Sequence, residues 1–294
     1  MSAANNKIGQ NLEAYFKKFR YYAYLLRRNP VTVVGMVIIL GLFFVALFSP
    51  WIVPYNPIEQ NIAIRLQPPT VDHLFGTDEF GRDILSRVLW ASRLSLGVGI
   101  LVVIISLMTG TILGAVAGFL GGLVNEVIMR AADLFLSFPS LILAVLVAAT
   151  LGPGQANTMI ALVVSWWPWY TRIVQAQVLT IKESRYVESA KAIGAGNTRI
   201  IVHHILPNCV SPIIVQATMD FGYAILATST LSFIGLGAQP PTPEWGLMVS
   251  EGRSYIVSGE WWMITFPGLF LMVAVLGFLL LGDGLCDILN PRLK

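Results

Sequence analysis

Long apolar runs without a single charge recur along this sequence, separated by short polar segments. No charged residue falls between Arg28 and Glu59, and residues 31–53 are enough to cross about 30 Å of hydrocarbon as a helix. This is the first predicted span. A cleaved leader has an apolar core of roughly 7 to 15 residues and a small-x-small exit, whereas this run ends in Phe48-Ser49-Pro50-Trp51 and reads as a retained anchor. The second run, 94–125, closes on Gly118-Phe119-Leu120-Gly121-Gly122, so its helix is expected to stop near Gly118. Residues 134–171 are too many for one helix, and Leu151-Gly152-Pro153-Gly154 divides them into spans three and four. Residues 212–235 and 261–282 supply the fifth and sixth. The pattern predicts an all-α membrane protein with six transmembrane helices.

The chain then divides into an N-terminal arm at 1–29, a first transmembrane helix at 30–53 and a loop at 54–91. A core of five further helices follows at 92–285, interrupted by a polar loop at 181–210, and a tail at 286–294 ends the chain. Six helices put both termini on one side. Lys and Arg choose which: six sit in the arm (Lys7, Lys17, Lys18, Arg20, Arg27, Arg28), four in the polar loop (Lys182, Arg185, Lys191, Arg199), two in the tail (Arg292, Lys294) and one at Arg130. The opposite side has only Arg65, Arg82, Arg87, Arg93 and Arg253. The positive-inside rule assigns both termini and the polar loop to the cytoplasm. Loop 54–91 and the segment 237–260 are then extracytoplasmic.

Composition supports lipid as the main solvent. Of 294 residues only 12% are charged, against roughly 25% in a soluble domain, and 55% are apolar. A net charge of +3, crowded around the first span, describes membrane orientation and no nucleic-acid surface. Cys209 and Cys286 cannot form a disulfide framework and are expected to be buried and inert. No Lys is followed by Ser or Thr, so there is no G-x-x-x-x-G-K-[ST] phosphate cradle, and H-E-x-x-H, G-x-S-x-G and G-x-G-x-x-G are absent too. No catalytic residue, metal site or cofactor is expected on this chain.

Several features carry more specific expectations. Gly110, Gly114, Gly118 and Gly122 recur every fourth residue, a small-xxx-small stripe for close helix packing within the bundle or across a subunit interface. The cluster Trp166-Trp167-Pro168-Trp169-Tyr170 should kink at Pro168, its rings either lining a path or packing. Asp220 and Arg172 are ionisable groups inside predicted spans, where charge is retained for function. Asp220 with Trp169 and Gln175 is the candidate path lining, a structural hydrogen-bonding role being the alternative for the acid. In 76–93, Ile84, Leu85, Val88 and Leu89 share one helical face and Arg82, Asp83, Ser86 and Arg87 another, which predicts an amphipathic helix lying at the membrane surface. The stretch Pro240-Pro241-Thr242-Pro243-Glu244-Trp245 is stiff, and serves either contact with another protein or rigidity of the loop.

The polar loop has its own regular pattern. Tyr186, Ala190 and Ile193 recur at helical spacing; Gly194 and Gly196 stop that helix, Asn197 is placed to cap a second one through Ile205, and Pro207 ends it. A short helix, a glycine turn and another short helix describe a docking knob.

Glu188-Ser189-Ala190, Gly194 and Leu206-Pro207 resemble the E-A-A, G and L-P positions of the EAA loop in permease subunits of bacterial ABC importers. Ser189 replaces the second small residue, and His204 stands where the general pattern prefers Ile. The resemblance extends through His73-Leu74-Phe75-Gly76-Thr77-Asp78, Gly81-Arg82-Asp83-Ile84-Leu85-Ser86-Arg87, 231–246 and Leu281-Gly282-Asp283-Gly284 to the C-type permease of the dipeptide, oligopeptide and nickel importer family. It implies a type I ABC importer permease fold in a bacterial inner membrane. It also implies a homologous B-type permease as partner, two cytoplasmic ATP-binding subunits carrying ATP and Mg, and an extracytoplasmic solute-binding protein. Glu188, Ser189, Ala190, Gly194, Ala195, Gly196, Leu206 and Pro207 would form the ATPase-coupling site. Di- or oligopeptide is the favoured solute; nickel or another small solute, a stand-alone secondary transporter or channel, and a structural subunit are the alternatives.

Overall fold

The computed structural model describes residues 29–289 and is helical throughout, apart from turns and one isolated bridge between Thr77 and Asp83. Most of the N-terminal arm, and Arg292 and Lys294 of the tail, lie outside the described residues. Ten α-helices follow in order: α1 Pro30–Ile52, α2 Ile84–Leu120, α3 Gly122–Leu136, α4 Ser140–Leu151, α5 Gln155–Lys182, α6 Arg185–Ala192, α7 Asn197–Ile200, α8 Leu206–Phe233, α9 Trp245–Gly252 and α10 Trp262–Leu289. Four of the helical stretches, including the unbroken 197–233, are long and apolar enough to cross a membrane, and α3 with α4 makes a fifth candidate as a bent pair. Helix α5 has the length, 28 residues, but its composition is more polar.

Local chemistry explains the helix starts. Asn29 caps α1 by accepting from the backbone N–H of Val31 at 3.0 Å, with Pro30 in the first turn where its missing N–H costs nothing. Asp83 caps α2 by accepting from Ser86 N–H at 2.8 Å, and Glu244 caps α9 through Gly246 and Leu247.

The structure departs from the sequence expectation at several points. Helix α2 does not begin near residue 94: it runs unbroken from Ile84, so the expected surface helix is the first turns of the second span. Its polar side is not in water, because Arg82, Asp83, Ser86 and Arg87 are all buried. The third span does not start at 134 as one run; α3 and α4 meet at a bend of 88° across Ser137-Phe138-Pro139, where a proline disfavours helical backbone in the residue before it. Pro207 does not end the second loop helix. A π-helical turn over Ile201–Ile205 widens the backbone just ahead of it, and Pro207 enters the first turn of α8, so 197–233 is one helix. Cys209 is buried as expected, but Cys286 is exposed.

The helices pack in three stacked apolar groups. One, around Trp245, Trp262, Val88 and Phe278, lies under the long loops; a middle one joins Val102, Leu162, Tyr170 and Ala224; the third joins Val174, Val178, Val187, Ile200 and Cys209 beside the polar loop. Bare backbone makes α2 and α5 the closest pair. A Cβ on Gly110 would meet Thr171 N at 2.8 Å, and one on Gly118 would meet Val178 Cβ at 2.8 Å. The glycine stripe therefore packs within the bundle. Gly122 is not part of it: it lies beyond the end of α2 with open space around it.

Candidate functional site

The polar loop is a rigid projection. Helix α6 turns at Gly194, whose φ of +84° is a conformation that L side chains rarely adopt, and Ala195 N–H closes the turn onto the Ala190 carbonyl at 3.0 Å. Gly196 then precedes Asn197, which sits at the first helical position of α7 without capping it by its side chain. Val187, Ala190, Ile200 and Ile205 are fully or nearly buried against Val174 and Val178 of α5 and Cys209 of α8. Two further ties hold the base: Lys182 Nζ donates to the Gly118 carbonyl at 3.2 Å, and Lys191 lies over the Phe119 ring at 5.4 Å. Glu188, Ser189, Gly194, Gly196 and Pro207 stay exposed, Ala195 and Leu206 half-buried, and Ile193 projects 86% exposed from the tip. Every sequence-predicted coupling residue thus belongs to one contiguous knob whose apolar side is anchored in the bundle.

A cavity of about 390 Å³ opens between the α3–α4 bend, α5 and α8. Trp166, Trp169, Tyr170 and Tyr223 wall it, and Asp220 reaches it from α8. The buried carboxylate accepts from Tyr170 OH at 2.5 Å and from Gln216 Nε2 at 2.9 Å. Pro168 is buried inside the continuous helix α5. Of the three predicted path residues, the structure brings Trp169 and Asp220 together. Gln175 stands apart, donating to Asn125 of α3 at 3.1 Å. Arg172 pairs with Asp133 of α3, and both side chains are about half exposed.

At the other end of the bundle lies a buried ionic network. Arg82 Nε donates to Asp78 Oδ2 at 2.5 Å, and Arg87 Nη2 donates to Glu251 Oε2 at 2.9 Å; Glu251 also lies 3.4 Å from Arg82. Both guanidinium groups are about 1% exposed. Nearby, His73 Nδ1 lies 2.9 Å from Asp83 Oδ1. Glu79 borders the network, and burial raises its carboxyl above the ordinary 4.5, with Glu251 and Asp78 adding to the shift.

The sequence itself has close relatives among known proteins. Residues 110–294 match the family model described as the binding-protein-dependent transport system inner membrane component, and residues 20–69 match that of the N-terminal transmembrane domain of oligopeptide transport permease C. The chain belongs to that inner-membrane family. It is 45% identical to the dipeptide transport system permease protein DppC of Alkalihalophilus pseudofirmus, over 92% of this chain and 88% of that one. Against the probable D,D-dipeptide transport system permease protein DdpC of Escherichia coli it is 44% identical, covering 92% and 90%. The DppC of Haemophilus influenzae matches at 40% over 95% of each chain. The permease is therefore a multi-pass membrane subunit of a family whose members are not themselves enzymes.

Two parts of the permease escaped sequence reasoning. Glu251, the shared acceptor of Arg82 and Arg87, lies 164 residues from Arg87, and only the fold brings them together. Tyr170 as the partner of Asp220 had a weak signal, since a buried acid in a span needs donors and Tyr170 is a polar group in a span. The Pro240–Trp245 stretch is divided: Glu244 and Trp245 are buried, Trp245 Nε1 donating to the Val88 carbonyl at 3.0 Å, while residues 240–242 at its start are exposed.

Proposed function

We propose that this permease forms half of the translocation path of an ATP-driven, binding-protein-dependent importer of di- or oligopeptides. The single observation carrying this reading is the anchored knob, since a rigid projection with buried apolar roots transmits rigid-body motion to the helices it grips. Helices α5 and α8 both end in it, and both wall the cavity. Glu188, Ser189, Gly194, Ala195, Gly196, Leu206 and Pro207 dock on a cytoplasmic ATPase, with Ala190 packed behind them, and closure of the ATPase pair on ATP and Mg reorients α5 and α8. A homologous B-type permease completes the path, and an extracytoplasmic binding protein delivers solute to the face carrying the buried ionic network. The peptide assignment follows the dipeptide transport named for the relatives.

In this arrangement both termini are cytoplasmic and the membrane is crossed six times, α5 being the fourth span. Its more polar composition fits a helix that faces water inside the complex. The test is gentle purification of the tagged permease from its native membrane, mass spectrometry of what stays bound, and reconstitution in liposomes with the binding protein. Recovery with a second permease and ATPases, and ATP-dependent accumulation of dipeptide, is expected. Recovery alone, with solute movement independent of ATP, would overturn the reading in favour of a carrier or channel.

A further inference from the structure

The cavity between α5 and α8 has a chemistry that a passage for any small solute does not require. Among the described residues that line it, Asp220 is the one carboxylic acid and none is basic. Among the described residues no Lys, Arg or His pairs with that carboxylate. A buried carboxylate without a cation is expensive, and more so inside a membrane span, so its presence here points to a cation that comes and goes. The two donors already present, Tyr170 OH and Gln216 Nε2, take one position on each oxygen. A carboxylate has about four acceptor positions, which leaves room for an ammonium group. Around it stand Trp166, Trp169 and Tyr223, the aromatic surfaces on which cations settle through the ring quadrupole.

We infer that this cavity is an ammonium subsite of the path, where Asp220 and its aromatic walls take the protonated α-amino group of a peptide. The inference rests on the peptide-importer reading and adds to it a chemical preference inside the membrane, independent of the binding protein. A volume of about 390 Å³ is at the small end of ligand pockets, suited to the leading residues of a short peptide. Tyr170 and Gln216 act as positioning residues, holding the carboxylate on the cavity side.

The experiment uses the complete permease–ATPase complex in nanodiscs without the binding protein, and reads saturable binding of tritiated dialanine. Unlabelled dialanine should compete and N-acetyl-dialanine, lacking the cationic amine, should compete about 10- to 100-fold less well, the range set by one charged hydrogen bond. Asp220→Asn should weaken dialanine binding by a similar factor, and Tyr223→Leu by a smaller one, with both complexes eluting as the parent does on size exclusion. Equal competition by N-acetyl-dialanine on the parent complex, which needs no variant, overturns the subsite; so does the absence of saturable binding. ATP-driven dipeptide uptake by the full system with the binding protein is measured in parallel. Its failure removes the peptide-importer reading, while intact uptake without amine discrimination removes the subsite alone.

Discussion

A Cβ on Gly114 would lie 2.5 Å from the carbonyl oxygen of Thr171, so α2 and α5 meet backbone to backbone. In lipid no hydrophobic force drives two helices together, and dispersion at this close range takes its place. Helix α5, like α8, runs between the cavity and the knob. In the proposed coupling its seating on α2 helps carry motion at the knob to the cavity.

The first prediction follows from that contact. Gly114→Ala puts a methyl group against main chain, which cannot swing away, and is expected to cost about 1 to 3 kcal/mol. Gly97→Ala on the same helix meets nothing within 4 Å and should be neutral or slightly stabilising, since alanine favours helix. Thermal unfolding in one detergent compares the two; equal midpoints would remove the packing argument.

At Gly194 the constraint is conformational instead. Nothing lies within 4 Å of its missing Cβ, so Gly194→Ala acts only through the +84° backbone, at about 1 to 2 kcal/mol. Gly196 has an ordinary φ of −68° and open surroundings, and Gly196→Ala should unfold as the parent does. Gly194→Arg adds bulk at the dock and is expected to abolish binding-protein-stimulated ATPase activity while membrane insertion is normal. Parental stimulation in the Arg variant would refute the coupling assignment.

Glu251 holds two buried guanidinium groups at once. Glu251→Ala strands Arg82 and Arg87 without their shared acceptor, and breaking a buried pair in this way costs about 3 to 5 kcal/mol. Glu251→Gln keeps an acceptor oxygen and should lose less. The order parent, Gln, Ala in detergent unfolding midpoint is expected; an Ala variant as stable as the parent would show that Asp78 alone balances both arginines.

Glu79 gives a pH dependence. Burial raises its carboxyl pKa above 4.5, so the folded state binds this proton more tightly than the unfolded chain does. The associated stability is present at low pH and is lost as pH rises from about 4.5 through the raised value. Its Oε2 is buried without a hydrogen-bond partner. Glu79→Gln should therefore gain stability relative to the parent as pH goes from 5 to 8. A constant difference across that range would mean that the acid titrates normally.

The runs of apolar residues made the helices legible, because lipid demands length and charge depletion that nothing else in a sequence imitates. The knob was legible because a glycine turn between two short helices is local. Where α2 begins was not. A stripe of Arg82, Asp83, Ser86 and Arg87 opposite Ile84 and Val88 reads the same whether the polar side meets water or a distant acid, and Glu251 decides the matter from far along the chain. The Ser137-Phe138-Pro139 bend was locally written but lay near the start of the charge-free run 134–171, whose break was placed at Leu151-Gly152-Pro153-Gly154 instead. At the cavity, Asp220 announced itself as a charge in a span, whereas its hydrogen bond to Tyr170 depends on how α5 and α8 face each other.

Arg172 and Asp133 supply the last prediction. On α5, Arg172 is one turn beyond Trp169 toward the knob, and on α3, Asp133 is one turn before Leu136; Trp169 and Leu136 both line the cavity. Two helices thus independently put this ion pair beneath the cavity, on the knob side. With side chains 51% and 47% exposed, the pair cannot rest against hydrocarbon without a large cost, so that face of α5 meets water or other protein. Exposed pairs contribute no more than about 1 kcal/mol to stability, so Arg172→Asp and Asp133→Arg should each unfold close to the parent. Uptake is expected to respond differently. Each single reversal places like charges together under the cavity and should lower ATP-driven dipeptide accumulation about tenfold, while the double reversal rebuilds the pair and recovers most of it. Single variants that transport like the parent would make the pair a surface ornament of the bundle, and a double variant no better than either single would show that the two residues act separately.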